Sequence, residues 1–274
     1  MGAGSFKKGQ MISRDRQYPQ RIVCLTEETT EFLYLLGCED LIAGISGFTV
    51  RPPRARTEKP KVSTFLEANV EEIVRLKPDL VLAFSDLQAE IVAKLLRRGL
   101  TVMGFNQRSL EEILGSMEIL GRMVNRGEEA RHLTDSWRQR IESLRLSVPP
   151  VRPSVYFEEW KEPLISCIRW VSELIEVAGG EDVFRELRGS HEAQGRVVDP
   201  AEVVRRNPDI IIGSWCGRPF KRDEVMRRPG WEKITAVQTG RVYEIDSSII
   251  LQPGPAALTD GLDALCRIVR NAAP

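Results

Sequence analysis

Five aromatic residues stand where strands are expected to end. Phe48 follows the apolar run 41–45, Phe65 precedes an amphipathic stretch at 70–76, and Phe84 ends the run 81–84. Trp160 follows 154–157, and Trp215 follows 210–213. In open parallel sheets, ligands lie beyond the carboxyl ends of the strands. Aromatic faces there are costly to expose unless they meet a flat apolar ligand or each other. The set reads as the wall of a binding cleft. The loop Trp215-Cys216-Gly217-Arg218-Pro219-Phe220 adds Cys216 and an Arg218 that could meet amides or phosphate, and Asp246, just after the run 242–245, is counted with this wall. His191, in a loop beside the same cleft, could offer an imidazole nitrogen to a bound metal such as cobalt or iron, or lie solvated. His132 falls within a helical stretch, on its surface. No glycine-rich phosphate loop, G-x-S-x-G elbow or H-E-x-x-H pair is present, so no catalytic signature stands.

Such a wall needs two facing sheets, and the chain repeats itself in the way that provides them. Glu71-Glu72-Ile73-Val74-Arg75-Leu76-Lys77-Pro78-Asp79-Leu80-Val81-Leu82 recurs as Ala201-Glu202-Val203-Val204-Arg205-Arg206-Asn207-Pro208-Asp209-Ile210-Ile211-Ile212. Each copy reads as a short helix stopped by proline, then a strand buried on both faces. A second echo pairs residues 31–40 with 173–182. Glu72 and Glu202 hold equivalent places near the start of the repeated helices, where a carboxylate suits the helix dipole; acidic residues at both lobe tips could also dock onto a membrane transporter.

The alternation of strand and helix predicts an α/β fold: two Rossmann-like lobes with parallel sheets, joined by a single long α-helix. Residues 1–20 read as a leader or disordered segment, 21–108 as the first lobe, 109–148 as the connecting helix and 149–274 as the second lobe. Thr26 can cap the helix that begins at Glu27. Ser109-Leu110-Glu111-Glu112 is a capping-box signature. The helical stretch behind it runs to about 146, with a possible break at Arg126-Gly127. A clam shell built on such a helix opens little.

Lys and Arg number 39 and so do Asp and Glu, which leaves no electrostatic footprint for nucleic acid. No stretch approaches the roughly 20 apolar residues of a membrane span. Residues 1–20 are polar and lack a signal peptide's apolar core, though Gly2-Ala3-Gly4-Ser5 could be a leader that replaced an export signal. Five scattered cysteines without a C-x-x-C pair read as reduced and mostly structural. A cytoplasmic setting is the expectation, with the periplasm or cell surface as alternative if a signal has been removed.

These motifs carry a resemblance. The opening strand with Thr26-Glu27-Glu28-Thr29-Thr30-Glu31, then Val62-Ser63-Thr64-Phe65, Asn69-Val70-Glu71 and Leu76-Lys77-Pro78-Asp79-Leu80-Val81, is similar to the first lobe of class III substrate-binding proteins of ABC transporters, in particular the cobalamin binders. Ala178-Gly179-Gly180-Glu181-Asp182-Val183-Phe184 resembles their second-lobe signature. The resemblance implies two lobes joined by one helix, and a cleft lined by aromatics at Phe48, Phe65 and Phe84. It also implies a docking glutamate at Glu71, whose second-lobe counterpart falls on Ala201, one residue from Glu202. The function it implies is non-catalytic binding of cobalamin or another corrinoid, with His191 or Cys216 as possible cobalt ligands. The partner would be an ABC transporter permease or a cytosolic corrinoid acceptor. Haem or an iron–siderophore is the alternative ligand, for which Arg51, Arg54, Arg56 and Arg218 could converge. A two-lobed nucleotide-sugar enzyme is the alternative from another class.

Overall fold

Both copies of the Pro-Asp motif fold alike, and for the same reason. Each proline forces the residue before it out of the right-handed helical region, and Lys77 and Asn207 both turn left-handed, with φ of 50° and 45°. The aspartate that follows then accepts from the chain entering the lobe's first strand. Asp79 takes the Arg21 N–H at 2.9 Å, and Asp209 takes the Ser154 N–H at 2.8 Å and its hydroxyl at 2.7 Å. The apolar run after each aspartate is thereby laid parallel to that first strand.

The computed structural model describes residues 18–272; the expected leader lies outside them except for its last three residues. The first sheet contains β1 (Ile22–Cys24), β2 (Ile42–Ser46), β3 (Lys61–Ser63), β4 (Leu80–Phe84) and β5 (Val102–Phe105), in the order β3-β2-β1-β4-β5 with every pairing parallel. The second contains β6 (Ser154–Lys161), β7 (Leu164–Ser166), β8 (Glu181–Asp182), β9 (Ile210–Gly213) and β10 (Val242–Glu244), in the order β10-β9-β6-β7 with β8 beside β6. Equivalent pairs carry the repeat, with Ile22 facing Leu80 and Val155 facing Ile210. One strand departs from the parallel expectation: β7 returns antiparallel to β6 as a hairpin.

The connecting segment is a helix pair. The Leu110–Met123 helix opens with the expected capping box, the chain reverses through Asn125 at φ 57°, and the Gly127–Leu146 helix runs back along it. The reversal is legible in the contacts, since Glu111 and Glu118 both reach Arg138. Gly121 permits the close crossing; a Cβ there would collide with that of Ala130. The break anticipated at Arg126-Gly127 is therefore a full turn, and the long helix is its second arm, 20 residues or about 30 Å.

Side chains alternate along each strand and cover both faces. Ile22, Leu80 and Leu82 of the first sheet share one continuous core with Val155, Phe157, Ile210 and Ile212 of the second, through Phe32, Trp137, Trp170 and Leu262 on the helices between. The outer faces hold separate cores around Val23, Val81 and Leu95 and around Tyr156, Ile211 and Trp231. The sheets are thus welded side by side, with their carboxyl ends left to form a shared rim.

Candidate functional site

The carboxyl ends of the two sheets meet across a seam. Gln252, in the loop after the Ser247–Ile250 helix, donates its amide N–H to Glu27 Oε1 at 3.2 Å, just beyond β1. Gln107, beyond β5, donates to the Pro253 carbonyl at 3.1 Å. Gly254 packs directly on Glu28, where a Cβ would not fit. Arg51 bridges Glu31 at 2.7 Å and Asp260 at 2.8 Å.

An apolar rim flanks the seam on the first lobe. Phe48 is 48% exposed after β2, Leu66 65% after β3 and Leu87 55% after β4, with Phe65 half-buried beside them. A buried amide fastens these loops together: Gln88 accepts from the Phe84 N–H at 3.0 Å and donates to the carbonyls of Phe65 and Leu25 at 3.1 and 3.4 Å. Ser85 holds the corner at φ 60°, outside the region a non-glycine residue prefers. On the second lobe Trp160 is half-buried and carries the Arg218 guanidinium 5.1 Å above its ring. Cys216 is exposed in the same loop.

Of the expected wall, then, Phe48, Phe65, Trp160, Cys216 and Arg218 stand at the rim. Phe84 does not: it is 4% exposed and lies under the Arg108 guanidinium at 5.2 Å. Trp215 is also a core residue, 3% exposed, and two features hold it there. Its indole N–H donates to Glu158 at 2.9 Å, and Phe220 folds back over Gly213 to meet its ring at 5.0 Å. Glu158 itself is fully buried, paired with Arg228 at 2.5 and 2.8 Å. Asp246 is exposed and caps the Ser247–Ile250 helix by accepting from the Ser248 N–H at 2.8 Å. His191 is exposed between two short helical turns. Among the described residues, no three His, Cys, Asp or Glu side chains gather as a metal site.

Glu71, 67% exposed, pairs with Arg98 on the first lobe's surface. Glu202 is gripped by Arg205 and Arg206 of its own helix, and their hydrogen bonds pull its carboxyl down to about 2. The arginines after Phe48 are likewise engaged: Arg54 pairs with Glu39, and Arg56 donates to the Gly47 and Thr49 carbonyls.

The polar floor of the seam was not anticipated. Glu27 and Glu28 are 8% and 1% exposed, and burial pushes their carboxyls up to about 7 and about 8. Thr26 does not cap the helix as expected; its hydroxyl donates to Glu28 Oε1 at 2.6 Å. Gln107, Arg108 and Ser214 are equally buried, and Glu27 Oε2, Glu28 Oε2, Gln107 Oε1, Arg108 Nε and Ser214 Oγ all lack partners. Buried polar atoms are normally satisfied by a protein group, an ordered water or a ligand, so these atoms can still accept or donate a bond. The signal was available: two glutamates directly after the first strand fall where ligands lie in such sheets. A separate hollow of about 660 Å³ lies among the helices at Leu110, Arg138, Ile141 and Glu173.

The profile of the family described as periplasmic binding protein matches residues 22–249. A vitamin B12-binding protein of Vibrio cholerae is 27% identical over 258 residues, 92% of this chain and 90% of its own length. The crystal structure of a periplasmic vitamin B12 binding protein from Vibrio cholerae superposes with a TM-score of 0.73 at 24% identity, over 93% of this chain and 98% of that one. A periplasmic haem-binding protein from Roseiflexus superposes with a TM-score of 0.77 at 21% identity, over 91% and 99%.

Proposed function

This chain belongs to the periplasmic binding protein family, and from that premise we propose that it binds cobalamin or a related corrinoid at the seam between its lobes, without chemical turnover. The observation that supports this ligand is the pairing of an apolar rim, at Phe48, Leu66, Leu87 and Trp160, with a floor of buried, unpartnered polar atoms. A corrin has an extended apolar edge and a fringe of uncharged amides, and it suits both at once. Burying the edge drives association, and the amides fix orientation. The vitamin B12-binding relative supports the same ligand.

An iron–siderophore fits less well, because three of the four arginines expected to converge, Arg51, Arg54 and Arg56, are already engaged, and Arg218 lies over the Trp160 ring. Haem remains the second reading, favoured by the likeness in fold to a haem-binding protein; its propionates would have to meet Glu27 and Glu28. The receiving partner in this reading is an ABC transporter permease, with Glu71 as a docking residue on the first lobe. Glu202 could join only by releasing its two arginines.

The comparisons do not support the cytoplasmic setting that the thiols suggest. The family and the compared structures are periplasmic by name, and we place the protein outside the cytoplasmic membrane. The cysteines decide little: burial pushes the Cys24 thiol up to about 12, so it is unreactive in either compartment. Among the described residues, no helix is long and apolar enough to cross a membrane.

Gel filtration with cyanocobalamin tests the site. The wild-type chain should carry the ligand through the column, and the Trp160→Ala, Phe48→Ala chain should lose it. Equal retention by both would remove the rim from the account.

A further inference from the structure

The seam holds a carboxamide already, and it belongs to the protein. Gln252 reaches across from the second lobe and places its amide on Glu27. Glu28 lies beside it against Gly254, and Gln107 grips the Pro253 carbonyl between them. Three side chains of the first lobe thus ring residues 252–254, and each keeps one buried oxygen without a partner. A carboxylic acid and a primary carboxamide are complementary: the acid's O–H donates to the amide oxygen, and its carbonyl accepts the amide N–H. A carboxylate can only accept.

We propose that Glu27 and Glu28 act as neutral carboxylic acids that recognise a ligand's primary carboxamide, which takes the seat now filled by the Gln252 side chain. The proposal rests on the corrinoid reading and adds to it a specificity device, selection for uncharged amides over carboxylates. The surroundings favour the neutral form. Glu31 on the same helix adds negative charge beside Glu28, Glu159 within β6 and Glu27 both face Cys216, and Cys24 is a thiol whose ionisation burial opposes. The cations nearby are committed elsewhere: Arg51 pairs with Glu31 and Asp260, Arg108 with Asp86, and Arg196 with Glu159. Lys59 faces Cys24. An anionic ligand such as haem, or a corrinoid with a hydrolysed side-chain amide, would set carboxylate against carboxyl.

The test uses cyanocobalamin, which is uncharged and whose cobalt bears no ionisable water, with affinity measured by equilibrium dialysis from about pH 6 to about pH 9. The wild-type Kd should weaken by about tenfold or more across that range, since one proton lost per carboxyl is worth a factor of ten per pH unit. The Glu27→Gln, Glu28→Gln chain, whose amides offer the same donor and acceptor as the neutral acids, should bind within a few-fold of wild type at the acid end and show a flat profile. If that double variant does not fold, Glu27→Gln alone should reduce the slope. At least one monocarboxylic acid derivative of cyanocobalamin should bind about tenfold more weakly than the parent at pH 8. A flat wild-type profile, or equal binding of every acid derivative, overturns this inference while leaving the corrinoid reading intact. Absence of cyanocobalamin binding at every pH overturns both.

Discussion

Glu27 and Glu28, buried at the seam, should also shape how stability changes with pH. Each retains its proton in the fold at pH values where the unfolded chain, with ordinary carboxyls near 4.5, has lost it. The stability that comes with that proton is whole below about 4.5 and is lost as pH rises through 7 and 8. The chain should therefore be more resistant to urea near pH 6 than near pH 8.5, and replacing both residues with glutamine should remove most of the difference. A midpoint that rises over this interval would contradict the buried, protonated pair. Trp160 and Trp215 separate binding from folding at the same scale. Trp160→Ala should weaken corrinoid binding by about tenfold, on the order of 1–2 kcal/mol, with little change in stability. Trp215→Ala should instead destabilise the fold by about 3–5 kcal/mol, because it empties a core position and leaves Glu158 short of a donor.

At the scale of elements, the Pro-Asp hinge is the unit that builds each lobe. Asp79→Ala and Asp209→Ala should each cost about 1–3 kcal/mol, since both leave strand-entry N–H groups without their acceptor. Similar losses in chemical denaturation would confirm that the two lobes use one device. This repeat was readable because helix, proline and buried strand are all local signals. The apolar runs that became β1, β2, β4, β5, β9 and β10 were readable for the same reason. β1 and β10 are as short as β3 and β7 but sit in mostly apolar runs at 22–25 and 242–245; β3, with one apolar residue between Lys61 and Ser63, and β7, the return arm of a hairpin, take their place from neighbours. The helix pair was half legible: the capping box and the break show in the residues, but reversal needs the tertiary contact between Gly121 and Ala130. Among the site residues, Phe48 lies just beyond β2 as the strand-end rule expects, whereas Trp160 lies inside β6, opposite Ile165 of β7, because that strand runs on to Lys161. The same rule misplaces Phe84, which alternation along β4 turns into a core, and Trp215, which its bond to Glu158 and the Phe220 ring hold inside the lobe.

For the whole molecule, the core shared by both sheets and the bonds across the seam argue against a wide-opening shell. Solution scattering should show a radius of gyration that changes by less than about 1 Å when ligand is added, as expected for lobes that shift without a hinge. A larger contraction would mean that the seam separates in the free protein. The central claim, that the seam accepts a corrinoid, is tested most directly by titrating the purified chain with cyanocobalamin and, separately, with haem at pH 6 under equilibrium dialysis. One cyanocobalamin per chain should bind saturably, and haem much more weakly. Tight haem binding with no cyanocobalamin retained would contradict that claim.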